Sequence, residues 1–304
     1  MVPALVALAL LSSACTTGAG DVASPDRSPA ASGAVSDATS GVASPDGAVL
    51  PGPDEPIGHE PSQVAEQLRS AIVGGREAID RWIEEGDPST WPPPGDVELL
   101  ALFQQRIYRT LARDPTLARR VLGRLPASVR WEAEANVSAV SALLATVRPV
   151  KSVHVIRTQR PEPAGVLLGW FREAEERFGV DWELLAAVML VESRFGRVVS
   201  KSWAGAQGPM QFLPSTWEAY GLGGDVHDPH DAILGAANYL GSSGAPTNDR
   251  AALYAYNPLS TYVDAVSAYA RVMRRDPSAY LAYYDWQVFV VTGAGDVRVT
   301  GPGL

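Results

Sequence analysis

Cysteine is nearly absent: Cys15 is the one thiol in 304 residues, so no internal disulfide exists and the redox compartment cannot be read from pairing. Lysine is almost as scarce, with only Lys151 and Lys201; the other basic residues are arginines, a bias of genome composition more than of chemistry. Positive charge is also short overall. A net charge of -9 and a pI near 5.0 exclude nucleic acid as the main partner, because phosphate binding needs an electropositive face. No repeat of fixed period is visible. From Thr16 to about Ile57 there is no aromatic side chain, and Ala, Ser, Gly, Pro and Asp dominate, with "ASPD" occurring twice. Too few apolar groups are present there to offset ordering entropy, which predicts a flexible tether. What remains is richer. Hydrophobic residues make up 46%, enough for a substantial core, and the length exceeds what one ordinary domain needs.

The opening run "VPALVALALLSSAC" is short, apolar and followed by small residues, the shape of a secretory signal rather than of a membrane span. Small residues directly before Cys15 resemble a lipobox, in which that cysteine would be acylated. Ser12 stands where such signals usually carry Leu, and no Lys or Arg precedes the run. The competing reading is an ordinary signal peptide with an incidental cysteine.

Residues 61–148 show apolar side chains at three-to-four spacing, as in "PSQVAEQLRSAI" and "GDVELLALFQQRIYRTLA", which predicts helices with one buried face. Asp114 reads as a cap with Pro115 at the first helical position. Arg106, Arg109, Arg113, Arg119, Arg120, Arg124 and Arg130 read as solvated helix faces, with docking of a polyanion as the lesser alternative. Pro149, Pro161 and Pro163 mark a connector over 149–163. The stretch 164–286 is again helical, and "QVFVVTGAGDVRVTG" alternates around "GAGD" as a small hairpin.

The segment "LLAAVMLVESRFG" poses the central question. Leu184 to Val191 are apolar without a break and lead into Glu192, in the last turn of a helix expected to start after Asp181 and to stop at Gly196. Burial and the negative end of the helix dipole both disfavour the ionised carboxylate, so both raise its pKa. A carboxyl that holds its proton near neutral pH is suited to general acid catalysis. The ordinary alternative is a glutamate paired with Arg194 or Arg197, or reaching water past the helix end; on this feature alone the two readings weigh equally.

Two further segments bear on it. In "SWAGAQGPMQFLPSTWEAYG", Gly205 and Gly208 bracket a turn, and glycines there let main chain approach a ligand closely. The Gln211 amide both donates and accepts, and Ser215 with Glu218 have capping-box spacing. In "LYAYNPLSTYVDAVSAYARVM", a helix from about Asn248 breaks at Asn257-Pro258, leaving Tyr256 and Asn257 where side chains can point into a cleft. Alone, each is an ordinary loop, cap or core tyrosine.

Together and in this order, "VESRFG", "GAQGPMQFLPSTW" and "AYN" resemble the motifs of peptidoglycan lytic transglycosylases of the soluble-transglycosylase (SLT) type. With "DPHDAILGAANYL" and "YNPLSTYVDAVSAYAR", the likeness is greatest to exported murein transglycosylases related to the membrane-bound B class. It covers about 165–286, and more loosely the upstream helices and "YYDWQV". The resemblance implies a lysozyme-like helical catalytic domain over 164–286; with the segments read above, the chain is expected to be mainly α, with a small helical region over 61–148 and the 149–163 linker before that domain and a short C-terminal β-hairpin over 287–304 after it. Before these stand a signal with lipobox over 1–15 and the tether over 16–60. Glu192 falls on the catalytic acid. Ser193, Gly208, Met210, Gln211, Tyr256 and Asn257 fall on substrate-binding positions. The implied partner is the peptidoglycan glycan strand, reached by a monomer on the outer face of the membrane through a lipid on Cys15.

The implied chemistry uses a single acid. Glu192 donates a proton to the β-1,4 linkage oxygen, and the carboxylate then takes the proton of the sugar's own C6 hydroxyl, leaving a 1,6-anhydromuramyl end. Conventional hydrolysis needs two carboxylates, and this region offers one. The alternatives are a hydrolytic muramidase of the same fold, a catalytically silent wall-binding module and a structural helical scaffold. Asp225, Asp228, Asp231, His227 and His230 do not follow the spacing of a calcium loop, and Asp228-Pro229 reads as a cap and first helical residue. No metal and no cofactor are expected. Of Trp170, Trp182, Trp203 and Trp217, which have the chemistry to stack on sugars, most read as core, and Trp203 as the exposed one.

Overall fold

A computed structural model describes residues 49–304; the Cys15 lipobox and the tether as far as residue 48 lie outside the described residues. Helices α1 (Pro61–Glu85), α2 (Gly95–Arg113), α3 (Pro115–Leu122) and α4 (Ala127–Leu144) come first. Then follow α5 (Ala164–Phe178), α6 (Trp182–Ser193), α7 (Pro214–Tyr220), α8 (Pro229–Ser242), α9 (Asp249–Tyr256), α10 (Ser260–Arg275) and α11 (Ala279–Tyr284). The chain closes with β1 (Phe289–Thr292) and β2 (Gly295–Arg298), an antiparallel pair in which Val290 faces Val297. Among the described residues no helix is long and apolar enough to cross a membrane.

Helix starts follow local chemistry at three places. Asp114 accepts hydrogen bonds from Thr116 N and Leu117 N at 3.0 and 2.9 Å, Asp228 accepts from Asp231 N at 3.0 Å, and Asn248 accepts from Ala251 N at 3.1 Å. Asp181 occupies the cap position of α6 without capping it; its carboxylate takes Arg274 instead, at 2.7 Å. The expected capping box of Ser215 and Glu218 does not form. Helix α7 begins two residues earlier than that cap requires, at Pro214, whose preset φ suits the first helical position, so Ser215 is already inside the helix.

Helix α6 lies at the centre, packed by α5, α8, α10 and α11, and Leu184 to Val191 are buried on every side as their composition predicts. Each fully buried Leu, Val or Met contributes about 1.5–3 kcal/mol of burial. Helix α10 contacts both α6 and α4, and one continuous apolar core runs from Val64 in α1 to Trp286 beyond α11. The 61–148 helices therefore share a core with the stretch after the linker.

The linker is tied down too. Val150 N donates to Val291 O at 2.9 Å, Thr158 pairs with Val198, and Val150, Ile156, Val198, Val288 and Val290 form a second small core. The tether prediction extends too far. Leu50 is buried, Arg106 donates to the Glu55 carbonyl at 2.7 Å, and Gly58 N donates to Gln67 at 3.0 Å, so packed chain begins by Leu50 instead of residue 61. Of the arginines of the first helices, Arg106, Arg109 and Arg130 depart from their reading as solvated faces, while Arg113 stays exposed. Arg109 and Arg113 clamp Asp296 of the hairpin at 2.7 and 2.5 Å, and Arg130 holds the Leu125 carbonyl at 2.5 Å. Arg119, Arg120 and Arg124 are exposed as expected.

Candidate active site

Glu192 is the penultimate residue of α6 and is 2% exposed. The helix does not run on to Gly196. Arg194 and Phe195 already adopt left-handed backbone at φ 54° and 57°, an uncommon conformation for residues with a side chain. Packing holds them there. The Phe195 ring contacts Phe171, Tyr280 and Tyr284, and Ser193 Oγ accepts from Gly196 N at 2.8 Å while donating to Pro209 O at 2.5 Å. The turn after the glutamate is thereby bolted to the glycine-rich loop, which is the task of Ser193.

Burial pushes the Glu192 carboxyl well above the usual carboxylate range. Its position at the negative end of α6 acts in the same direction. The Tyr262 hydroxyl opposes the shift, since it faces the carboxyl and favours the charged form. The two groups approach without a well-formed hydrogen bond: neither Tyr262 Oη nor Glu192 Oε2 has a hydrogen-bond partner among the described residues. No ion pair joins Glu192 to Arg194 or Arg197. Arg194 donates to the Leu190 carbonyl and Arg197 lies over the Tyr284 ring, so neither the salt bridge nor the escape to water weighed from the sequence is realised.

The loop motif approaches the same place. Gly208 has φ +75°, and a Cβ there would stand 1.9 Å from the Val226 carbonyl oxygen, so only glycine lets these backbones meet. Met210 is fully buried and presents its carbonyl to the Tyr256 hydroxyl at 2.6 Å. Gln211 also sits at positive φ, 51°, and its amide folds back to donate to Gly208 O at 2.9 Å. Tyr256 ends α9 and Asn257, fully buried, is its C-cap. Glu192 acts on the ionisation of both Tyr256 and Tyr262, which places the third motif and α10 beside the carboxyl. From Tyr256 a row of half-exposed rings leads away: Tyr239 at 5.4 Å between centroids, then Tyr220 at 4.5 Å from Tyr239. Such a row offers flat apolar faces at the surface.

The structure thus gathers Glu192, Ser193, Gly208, Met210, Gln211, Tyr256 and Asn257 around one helix end. Two positions escaped sequence reasoning. Tyr262 lies within "STYVDAVSAY", where nothing separates a site tyrosine from a core one, and Tyr239 lies in the regular α8 pattern. Trp203 is 54% exposed, whereas Trp182 is buried and Trp170 and Trp217 are half-buried. Asp228, His230 and Asp231 bring ligand-type atoms within 4.8 Å of one another. Each is engaged otherwise: Asp228 caps α8, Asp231 accepts from Asp225 N at 2.8 Å, and His230 pairs with Glu173 at 2.9 Å.

A central apolar helix ending in a buried acid, a loop closed by Gly208 and a tyrosine at a helix break all fall within one stretch, residues 169–271. Residues 169–271 match the family model described as "Transglycosylase SLT domain". The chain is 29% identical over 133 residues to the membrane-bound lytic murein transglycosylase F of Thiobacillus denitrificans, an alignment covering 41% of this chain and 28% of that protein. It is 32% identical over 128 residues to the membrane-bound lytic murein transglycosylase F 1 of Alkalilimnicola ehrlichii, covering 39% and 24%. The chain therefore spans about a quarter of the length of these curated relatives. Both carry the F designation, whereas the sequence motifs pointed toward the B class. No solved structure matches the chain.

Proposed function

We propose that this chain is a peptidoglycan lytic transglycosylase that cleaves the β-1,4 bond between N-acetylmuramic acid and N-acetylglucosamine without water. The observation that carries this reading is the Glu192 carboxyl, buried without an ion pair and with its pKa pushed up by that burial, beside the glycine-rich loop and the Tyr256–Asn257 break. In this reading Glu192 protonates the departing linkage oxygen. Its carboxylate then withdraws the proton of the C6 hydroxyl as that oxygen closes on the anomeric carbon, giving the 1,6-anhydro end and restoring the acid. One group serves in both protonation states, which requires a pKa lifted toward working pH. Tyr262 moderates the lift, so that the proton can still leave.

Among the described residues no other carboxylate acts on the ionisation of Glu192, which supports a one-acid route over the two-carboxylate hydrolytic one. Gly208 and the buried Met210 shape the loop from within, the buried Asn257 holds the helix break that carries Tyr256, Gln211 and Tyr256 orient the glycan, and Ser193 fixes the turn. The names of the relatives include "membrane-bound", which accords with an extracytoplasmic location, and in this reading the chain acts there as a monomer anchored through a lipid on Cys15. The test is incubation of the protein, and of Glu192→Gln, with purified peptidoglycan, followed by mass analysis of the released muropeptides. Anhydro ends from the native protein and none from the variant are expected. Products heavier by one water would replace this reading with a muramidase, and unaltered sacculi would overturn both.

A further inference from the structure

At the C-terminal end of α6 lies a small, partly open cavity of about 40 Å³. It sits where α2, α4, α6, α10 and β1 meet, walled by Val191 and Phe289 and lined by Arg109, Arg148, Arg194 and Tyr269. Three of these side chains carry buried polar atoms with no hydrogen-bond partner among the described residues: Arg194 Nε, Arg109 Nη2 and Tyr269 Oη. A buried guanidinium left without a counter-charge is costly, and such donors are normally satisfied. Arg109 shares Asp296 with Arg113, so one carboxylate already serves two cations. Arg194 has none. Burial lowers its pKa to about 10, with Tyr269 pulling it up and Arg109 and Arg197, both of its own sign, pushing it further down. Its one recorded hydrogen bond goes to the Leu190 carbonyl at the end of α6, which offers a partial charge only.

We propose that this cavity binds a small anion, chloride or a carboxylate-sized group, held between the Arg194 and Arg109 guanidiniums with the Tyr269 hydroxyl as a third donor. The volume suits it. A single water needs about 10–15 Å³ measured in this way, so the space holds a few waters or one small anion. Water would fill the space but leave the excess positive charge of the pocket uncompensated, in a chain whose overall charge is -9. The occupant would join the end of the glutamate-bearing helix to the first helical layer and to the hairpin through a single ion.

The full chain would be melted in chloride, acetate or phosphate at constant ionic strength, with a bulky organic sulfonate, too large for the cavity, making up the balance. At least one of the small anions should raise Tm saturably, by about 3–5 °C at about 100 times its Kd. The shift should vanish in Arg194→Gln. Tyr269→Phe keeps the packing and removes one donor, and should weaken the anion at least several-fold, which protects the test if the arginine variant fails to fold. The ion that saturates lowest identifies the class, and crystals grown in bromide should show an anomalous peak inside the cavity. Equal salt responses in the native protein and both variants, or a bromide-soaked cavity holding only water, would overturn the proposal.

Discussion

Glu132 in α4 and Glu192 in α6 are both buried glutamates, and the regions around them treat the charge differently. Glu132 lies between the first helices and the α10–α11 junction and is met by Arg76 at 2.7 Å, with Asp276 on the same arginine at 3.3 Å. Burial lifts its carboxyl to about 7 even so, with Arg76 pulling it down and Asp276 pushing it up. Glu192 has no such cation among the described residues. A neutral hydroxyl is the one group that favours its charged form, and its carboxyl is held well above the usual range. The arginine beside Glu132 makes a structural joint titrating near neutrality, whereas the apolar collar of α6 keeps a proton available. Burial is common to both, and the partner decides the role.

The sharpest way to break this comparison is Glu192→Gln against Glu132→Gln. The first should cost about 10³-fold in muropeptide release while Tm stays near native, because a neutral isostere fits a site whose burial disfavours the charged carboxylate. The second should leave turnover within a few-fold; equal losses in both would erase the distinction. Next in size is Gly208→Ala, whose Cβ would meet the Val226 carbonyl at 1.9 Å with backbone at φ +75°. A loss of about 3–4 kcal/mol in denaturant unfolding is expected, since overpacking and left-handed strain add.

The pH dependence of Glu132 sharpens the other side. Its folded pKa of about 7 lies above the ordinary 4.5, so its contribution to stability is complete below about pH 4.5 and is lost as pH rises through 7. Melts from pH 4.5 to 8 should show the native protein losing about 3 kcal/mol that Glu132→Gln does not lose. Smallest is Tyr262→Phe. Removing the hydroxyl that favours the carboxylate should move the alkaline limb of the activity–pH profile upward, with kcat falling a few-fold and the melting curve little changed.

Much of this was legible in sequence where the cause is local. The caps at Asp114, Asp228 and Asn248 are bonds within three residues, and the uniform burial of α6 follows from its unbroken apolar run. The motif residues around Glu192 were legible as a set because three segments matched in order. What sequence spacing could not carry is contact at long range. Tyr262 meets Glu192 only because α10 packs on α6, and Arg109 finds Asp296 across 187 residues. Local chemistry also misled twice. Pro214 took the helix start that Ser215 seemed to mark, and Arg194 and Phe195 turned left-handed before Gly196, the residue best suited to do so.

The most direct test of the central claim is a carbon NMR titration of the protein labelled at its glutamate side-chain carboxyls, with the Glu192 signal assigned by its loss in Glu192→Gln. That signal should remain at the protonated position at pH 7 while exposed glutamates have already shifted. A Glu192 resonance that titrates with them, near the ordinary 4.5, would contradict the account.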